Sequence, residues 1–184
     1  TWEQDVLYPF GYGLSYTTFT QELQGVTFDD TAHTAAVQVK VTNTGAVTGK
    51  EVVQVYGQSP YTEYDKEHLI EKAAVQLMGF EKTAELAPGA SETVTVQVPM
   101  QWLASFDTKG YGTYIMEAGN YYFAVGSSAH DAVNNILAAK GANVNGSAAL
   151  TYTWNQAETD ASTYAKSLYT GESITASFPD ADIN

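Results

Sequence analysis

Among the charged side chains that could do chemistry, the acidic ones are the most abundant, with 21 Asp and Glu against 8 Lys and Arg. Two carboxyl groups can share acid and base catalysis when one of them sits in an apolar pocket that raises its pKa. Here the acidic residues are scattered over extended segments and loops, and no pattern places two of them in such a pocket. The sequence therefore predicts no catalytic pair of carboxylates.

The other residue types that carry chemistry are also dispersed. His33, His68 and His130 lack the spacing of metal ligands. With no Cys in the chain, thiol nucleophiles, thiolate metal sites and disulfides are excluded. Gly126-Ser127-Ser128 is not followed by the second glycine of a serine-hydrolase elbow, because position 130 is His. We expect no catalytic residue, no cofactor and no metal site.

One loop carries residue types suited to a sugar. Tyr61, Tyr64 and Asp65 lie close together in the sequence, and they offer two stacking faces and a hydrogen-bond acceptor to a pyranose ring. The alternative is a loop that packs on a neighbouring domain or faces solvent, and this alternative is favoured. Sugar contact by these three residues is kept as a hypothesis.

The charge of the chain limits its partners. A net charge of −13 repels phosphate backbones and anionic membrane surfaces. No apolar run approaches the roughly 20 residues of a membrane span. We therefore expect a soluble chain with neither nucleic acid nor a membrane as partner, in a compartment that the sequence does not specify. Because the first residue is Thr1 rather than Met, we also expect a fragment or a processed form.

Alternation of apolar and polar residues dominates the chain and predicts short β-strands. About seven strands are expected before residue 128, at intervals typical of an all-β sandwich of the immunoglobulin or fibronectin type III-like class. A type II turn is expected at 87–89, where Pro presets φ and Gly takes the positive φ. The side chains expected in the core are those of Val37, Val39, Val41, Val53, Val55, Val94, Val96, Phe123 and Val125.

The last third of the sequence predicts additions to this sandwich. Strands at 114–117 and 121–125 should form a hairpin around the loop 118–120. A short helix should follow near 131–140, with Asp131 as its N-cap and Gly141 just beyond its end. One more strand is expected at 150–154, and then a thinly apolar tail runs over a surface or connects to another domain.

The most informative stretch is YPFGYGLSYTTF at 8–19. If it is extended, bulky side chains point to one face, and Pro, Gly and Ser point to the other. The strip could fold back on its own sandwich, but we favour a contact with a neighbouring domain. The residues assigned to this interdomain contact are Tyr8, Pro9, Phe10, Tyr12, Leu14 and Tyr16.

This strip resembles the motif that opens the fibronectin type III-like domain of glycoside hydrolase family 3, the β-glucosidase and β-xylosidase family. The resemblance continues in the family's order through 51–60, 75–98, 102–107 and 117–131. It implies that the nucleophile lies on a barrel domain and the acid/base on an α/β domain, and neither domain has a counterpart here. The expected partners are thus the catalytic domains of the same parent chain.

Two segments depart from the ordinary pattern of this family. The insertion 61–72 is longer, and residues 132–184 extend past the usual end. Both resemble a bacterial subgroup with permuted domain order, in which 170–184 would begin the run towards the next domain. The expected division is an aromatic interdomain linker strip at 1–18, the sandwich at 19–130, and a helix, strand and connector at 131–184.

The resulting hypothesis is a non-catalytic accessory domain that supports the catalytic domains of a larger glycoside hydrolase. A stand-alone carbohydrate-binding module and a protein-interaction module remain open as alternatives. The substrate sugar would be determined by domains that this sequence lacks.

Overall fold

A computed structural model of the chain describes residues 5–175. These residues form nine strands and two helices, all strand pairs being antiparallel. The strands are β1 (Phe19–Asp29), β2 (Thr34–Asn43), β3 (Val52–Gln58), β4 (Gln76–Lys82), β5 (Ser91–Pro99), β6 (Ser105–Asp107), β7 (Thr113–Ile115), β8 (Gly119–Val125) and β9 (Thr151–Gln156). The helices are α1 (Glu63–His68) and α2 (Ala129–Ala139), with short 3₁₀ turns at Met100–Leu103 and Ala148–Leu150.

The strands form a sandwich of two sheets, as the alternating pattern predicts. One sheet has the order β1-β2-β5 and the other the order β4-β3-β8-β9, while β6 and β7 pair separately. In β2 every second residue is buried, which gives that strand one face in the core and one face towards solvent. All nine side chains expected in the core are buried, so this prediction is confirmed.

The turn at 87–89 is also confirmed. Gly89 has a φ of +79°, and the amide of Ala90 donates to the carbonyl of Ala87 at 2.9 Å. A type II turn requires this positive φ, which glycine adopts at no steric cost. The turn leads directly into β5.

The predicted hairpin between 114–117 and 121–125 is wrong. β7 pairs with β6, through Phe106 and Tyr114, whereas β8 pairs with β3 and β9. Between them the chain is held by Met116, which exchanges two backbone hydrogen bonds of 2.8 Å with Asp160. A short loop between two extended segments is compatible with their pairing to each other or to other strands. Here the bridge between Met116 and Asp160, which are distant in the sequence, holds the chain where it passes from the β6–β7 pair to the sheet that contains β8.

Helix α2 begins earlier than predicted, and its N-cap is Ser128 rather than Asp131. Ser128 has an extended backbone, and its hydroxyl accepts from the amide of Asp131 at 3.2 Å. Asp131 lies in the first turn and accepts from the amide of Ser127 at 2.9 Å. Both side chains are suited to a helix start, but only Ser128 occupies the position before it. Gly141 has a φ of +84° beyond the helix end, as predicted.

The segment after β9 is more than a surface tail. Tyr164 is buried in the core, and the backbone of Ile174 donates to Ala165 at 2.8 Å. Residues 1–4 and 176–184 lie outside the described structure, so most of the proposed run towards the next domain is not covered. Within 5–175 no helix is long and apolar enough to cross a membrane.

A charge placed in the layer between the sheets should unfold the domain. Val39→Asp would bury an uncompensated carboxylate at a fully buried position, and it should cost several kcal/mol of unfolding free energy. Gln38→Asp is the matched control, because Gln38 is the exposed neighbour on the same strand. Urea denaturation of both variants checks this, and equal midpoints would contradict the assigned core.

Candidate functional site

The aromatic strip near the N-terminus lies on the outside of the described structure. Its five large side chains are all exposed: Tyr8 68%, Phe10 67%, Tyr12 49%, Leu14 87% and Tyr16 101%. Pro9 is partly buried. Contiguous exposed apolar surface of this kind marks an interaction site in soluble proteins.

The backbone of this strip is nevertheless held in place at Gly11. The side-chain amide of Gln54 donates to the carbonyl of Gly11 at 2.8 Å, and the amide of Ala129 donates to the carbonyl of Phe10 at 2.8 Å. The hydroxyl of Tyr56 donates to Gln54 at 2.7 Å and fixes that side chain. The strip is thereby tied to β3 and to the start of α2.

Gly11 is required at this point for two reasons. Its φ is +87°, and a Cβ built there would lie 2.2 Å from the hydroxyl oxygen of Tyr56. The amide of Tyr12 donates to the carbonyl of Pro9 at 3.0 Å, so the strip turns here instead of continuing as an extended strand. The large side chains therefore do not follow strict alternation, although all of them are exposed.

The insertion at 61–72 folds into the short helix α1. Thr62 and Asp65 form a capping box, in which Asp65 accepts from the amide of Thr62 at 2.7 Å and Thr62 accepts from the amide of Asp65 at 3.3 Å. The sequence predicted a loop here, although the spacing Thr-x-x-Asp could have indicated the helix start.

The three residues of the sugar hypothesis do not form one surface. Tyr61 is 56% exposed, while Tyr64 is half-buried and its ring stacks on His68 with 3.7 Å between centroids. Asp65 is fully buried, so its carboxylate offers no acceptor to a ligand at the surface. The sequence pattern did not reveal this burial, because the partners of Asp65 are distant in the chain.

Asp65 belongs to a buried cluster with Lys72 and Glu117. The ammonium of Lys72 lies 2.7 Å from Asp65 Oδ1, also contacts Glu117 Oε2, and donates to the carbonyl of Pro60 at 2.8 Å. The Lys72, Asp65 and Glu117 side chains are 7%, 0% and 4% exposed. Thr62 donates to Glu117 Oε1 at 2.6 Å, which ties the start of α1 to the segment before β8.

The pKa values of the two carboxyl groups of this cluster are shifted in opposite directions. Although burial alone would raise the pKa of Asp65, hydrogen bonds from its neighbours and the charge of Lys72 hold it below its usual value. Burial raises the pKa of Glu117, and the nearby Asp65 adds to this despite Lys72. One ammonium thus serves two carboxyl groups, and Glu117 is the one that more readily holds a proton.

A second contact fixes the other side of α1. The hydroxyl of Tyr64 donates to Asp107 Oδ2 at 2.6 Å, and the amides of Gly110 and Tyr111 each donate to Asp107 at 2.8 Å. A Cβ at Gly110 would lie 2.1 Å from the Tyr64 hydroxyl oxygen, so glycine allows this close approach. The insertion is therefore held by polar contacts of two neighbouring residues in the first turn of its helix, Tyr64 and Asp65.

The cluster around Lys72 does not have the features of a hydrolytic site. Its two carboxylates are closed off by the ammonium of Lys72 and by Thr62, whereas glycoside hydrolysis needs both carboxyl groups to face a sugar. Within the part of the chain that the structure describes, no group of three or more His, Cys, Asp or Glu side chains could hold a metal ion. We interpret the cluster as the anchor of the insertion.

Comparisons with known proteins agree with this sandwich geometry. A family model described as a fibronectin type III-like domain matches residues 51–129. A β-glucosidase of Ruminococcus albus is 41% identical over 131 residues, which cover 69% of this chain and 13% of that protein. The structure of β-glucosidase 3B from Thermotoga neapolitana in complex with α-D-glucose matches with a TM-score of 0.62 at 36% identity, covering 84% of this chain and 18% of that one. A glycoside hydrolase family 3 (GH3) β-glucosidase of Bifidobacterium adolescentis matches with a TM-score of 0.61 at 29% identity, covering 87% and 20%.

The two sheets and these matches define a fibronectin type III-like sandwich domain. Its first two strands, β1 and β2, lie outside the matched range 51–129 and complete one of the sheets. The chain carries the fibronectin type III-like domain found in β-glucosidases of glycoside hydrolase family 3. It spans 13% to 20% of the length of these similar proteins.

The first prediction from the site concerns the contact at Gly11. Gly11→Ala should displace the strip, because the new methyl group meets Tyr56 and the φ is unfavourable. Hydrogen exchange at the amide of Ala129, which donates to Phe10, should accelerate. Gly13→Ala is the control, since nothing lies within 4 Å of a Cβ there. Unchanged exchange in Gly11→Ala would show that the contact does not hold the strip.

The second prediction concerns Lys72. Lys72→Met would leave two buried carboxylates without a counter-charge, and it should lower the free energy of unfolding by about 3–5 kcal/mol. Lys66→Met is the control, because its pair with Glu63 lies at the surface and contributes little. Chemical denaturation of both variants measures the difference. Similar losses in the two variants would mean that the cluster does not anchor the insertion.

Proposed function

We propose that this chain is a non-catalytic accessory domain of a β-glucosidase-like glycoside hydrolase. Its role would be to pack against the catalytic domains of the same parent chain and support them in carbohydrate metabolism. The observation that carries the proposal is the aromatic strip at 8–16, which is exposed and yet held to the sandwich at Gly11.

The energetics of the strip favour a covering partner. Each large apolar side chain left in water forgoes roughly 1.5–3 kcal/mol of burial free energy, and five such side chains lie together here. The contacts of Gly11 and Phe10 reduce the conformational freedom of the strip, so less entropy is lost when it docks. A stand-alone module would gain nothing from this arrangement, which is why a neighbouring domain is the favoured partner.

Hydrolysis of the glycosidic bond is assigned to other parts of the parent chain. The carboxylates of Asp65 and Glu117 are committed to Lys72 and are closed to a substrate. A retaining mechanism needs two carboxyl groups about 5–5.5 Å apart on either side of the scissile bond. The activity and the substrate sugar of the parent would then be determined by its catalytic domains.

The finer organisation of the parent is part of the same proposal. We assign 1–18 to an interdomain linker strip, 19–130 to the sandwich and 131–184 to a helix, strand and connector, within a bacterial enzyme of permuted domain order. The last segment stays attached to the sandwich, because β9 pairs with β8 and Tyr164 enters the core. Its far end, at 176–184, lies outside the described residues.

A contact between the insertion and a sugar is proposed for Tyr61 and Tyr64 only. A cleft of about 360 Å³ lies beside Tyr64 and Tyr111, and the neighbouring Tyr61 is exposed. Asp65 is left out because its carboxylate is buried. Weaker binding of cellotriose after Tyr61→Ala would support this contact, and unchanged binding would remove it.

The strip is tested in the full-length parent enzyme. Phe10→Ser should lower the melting temperature and the glycosidase activity of the parent, because it weakens domain packing without touching a catalytic group. Phe80→Ser is the matched control, since Phe80 is 65% exposed and lies outside the strip on β4. Activity and differential scanning calorimetry are measured on both variants.

The same pair of variants in the 184-residue chain separates docking from folding. Here Phe10→Ser should leave the melting temperature within a few degrees of the original and reduce any self-association. If Phe10→Ser and Phe80→Ser had the same effect on the parent, the strip would not be the docking surface.

A further inference from the structure

A groove with aromatic side chains lies between the 3₁₀ turn after β5 and the segment that follows β9. Its volume is about 420 Å³, which falls in the range of pockets that bind small molecules. Three rings reach its surface: Trp102 is 49% exposed, Tyr114 38% and Tyr169 88%. This grouping could not be predicted from the sequence, because the three rings come from separate segments of the chain.

The walls of the groove are held by hydrogen bonds. On one side, the hydroxyl of Thr113 donates to the carbonyl of Ile174 at 2.9 Å, and the amide of Ser167 donates to Glu172 at 2.8 Å. On the other side, the side-chain amide of Gln76 donates to the carbonyl of Trp102 at 2.5 Å. A ligand would therefore meet a preformed surface and lose little affinity to ordering it.

A second cavity of about 370 Å³ adjoins this groove. It shares Trp102 and Tyr114 with the first cavity and extends to Leu69 and Glu71, at the end of the insertion. Together the cavities form a surface that runs from the insertion, across Trp102, to the segment after β9. These are the two segments in which this sequence departs from the ordinary family pattern.

The chemistry of the lining fits a neutral, polyhydroxylated ligand. The aromatic faces suit the apolar C–H face of a pyranose ring, and the side chains of Gln101 and Ser167 suit its hydroxyl groups. The charged side chain in the lining of the first cavity is Lys166. The second cavity is lined by Glu71 and by Lys72, whose charge is already paired with Asp65. The surface thus has little net charge for an ionic ligand to recognise.

We propose that this groove binds a neutral oligosaccharide, with sugar rings stacked on Trp102, Tyr114 and Tyr169. Binding would hold a carbohydrate chain on the accessory domain. The choice of a β-linked glucan as the ligand rests on the proposed function, whereas the binding itself needs only this chain.

The test is isothermal titration calorimetry, which measures the affinity of the 184-residue chain for cellotriose. The expected result is saturable binding that weakens by about tenfold in Trp102→Ala and in Tyr169→Ala. Tyr169 is almost fully exposed, so its replacement should leave folding intact, and circular dichroism checks the fold of both variants. Tyr16→Ala is the matched control, as an exposed tyrosine that lines neither the groove nor the cleft beside Tyr64.

Three results would overturn the proposal. The first is an absence of saturable binding to the wild-type chain. The second is an affinity unchanged by Trp102→Ala and Tyr169→Ala, or lowered only by Tyr16→Ala. The third is a Trp102→Ala variant that destabilises the full-length parent while the isolated chain binds no sugar, which would make the groove a domain interface. None of these results bears on the effect of Phe10→Ser in the parent, so the groove and the docking strip fail separately.

Discussion

The structure depends on one layer of apolar side chains between two antiparallel sheets. Valines of β2 and β5 line one side of this layer, and β3 and β8 supply valines and Phe123 to the other. Burial of these side chains is the main source of stability, at roughly 25 cal/mol for each Å² of apolar surface removed from water. Strands β4 and β5 of the two sheets come close to each other at Gly79, because this residue has no side chain that would clash with the backbone of Gln97. The strip, the insertion and the C-terminal segment are all attached to this sandwich.

The attachments use polar contacts instead of a second core. The insertion is held by Lys72, which neutralises part of the charge of Asp65 and Glu117, and by Tyr64 on Asp107. Removing two carboxylates from water is costly, and only a counter-charge with further hydrogen bonds makes the arrangement tolerable. This commitment also explains why the carboxylate pair in the structure is unsuited to hydrolysis. A group that must stay paired to keep a segment folded cannot face a substrate as well.

Two surfaces take no part in the core or in these attachments, and they are the ones to which functions are proposed: the strip at 8–16 and the groove at Trp102. The strip presents large side chains in a backbone conformation that Gly11 and Gln54 hold. Such a surface suits a contact within one polypeptide, where the partner domain is always nearby and the effective concentration is high. The groove at Trp102 differs in character, since it combines aromatic faces with amide and hydroxyl groups. The proposed docking surface and the proposed ligand site thus lie on separate parts of one small domain.

The sequence by itself determined which residues alternate, and so which faces of the strands are buried. It also determined the turn at Gly89, because a type II turn follows from the local order of Pro and Gly. Only the tertiary structure decided which strands pair with each other and which polar side chains are buried. A period of two says which face of a strand is apolar but not which strand lies beside it, so β7 pairs with β6 and not with β8. The burial of Asp65 was likewise decided by Lys72 and Glu117, since a carboxylate enters the interior only where the fold brings it a counter-charge.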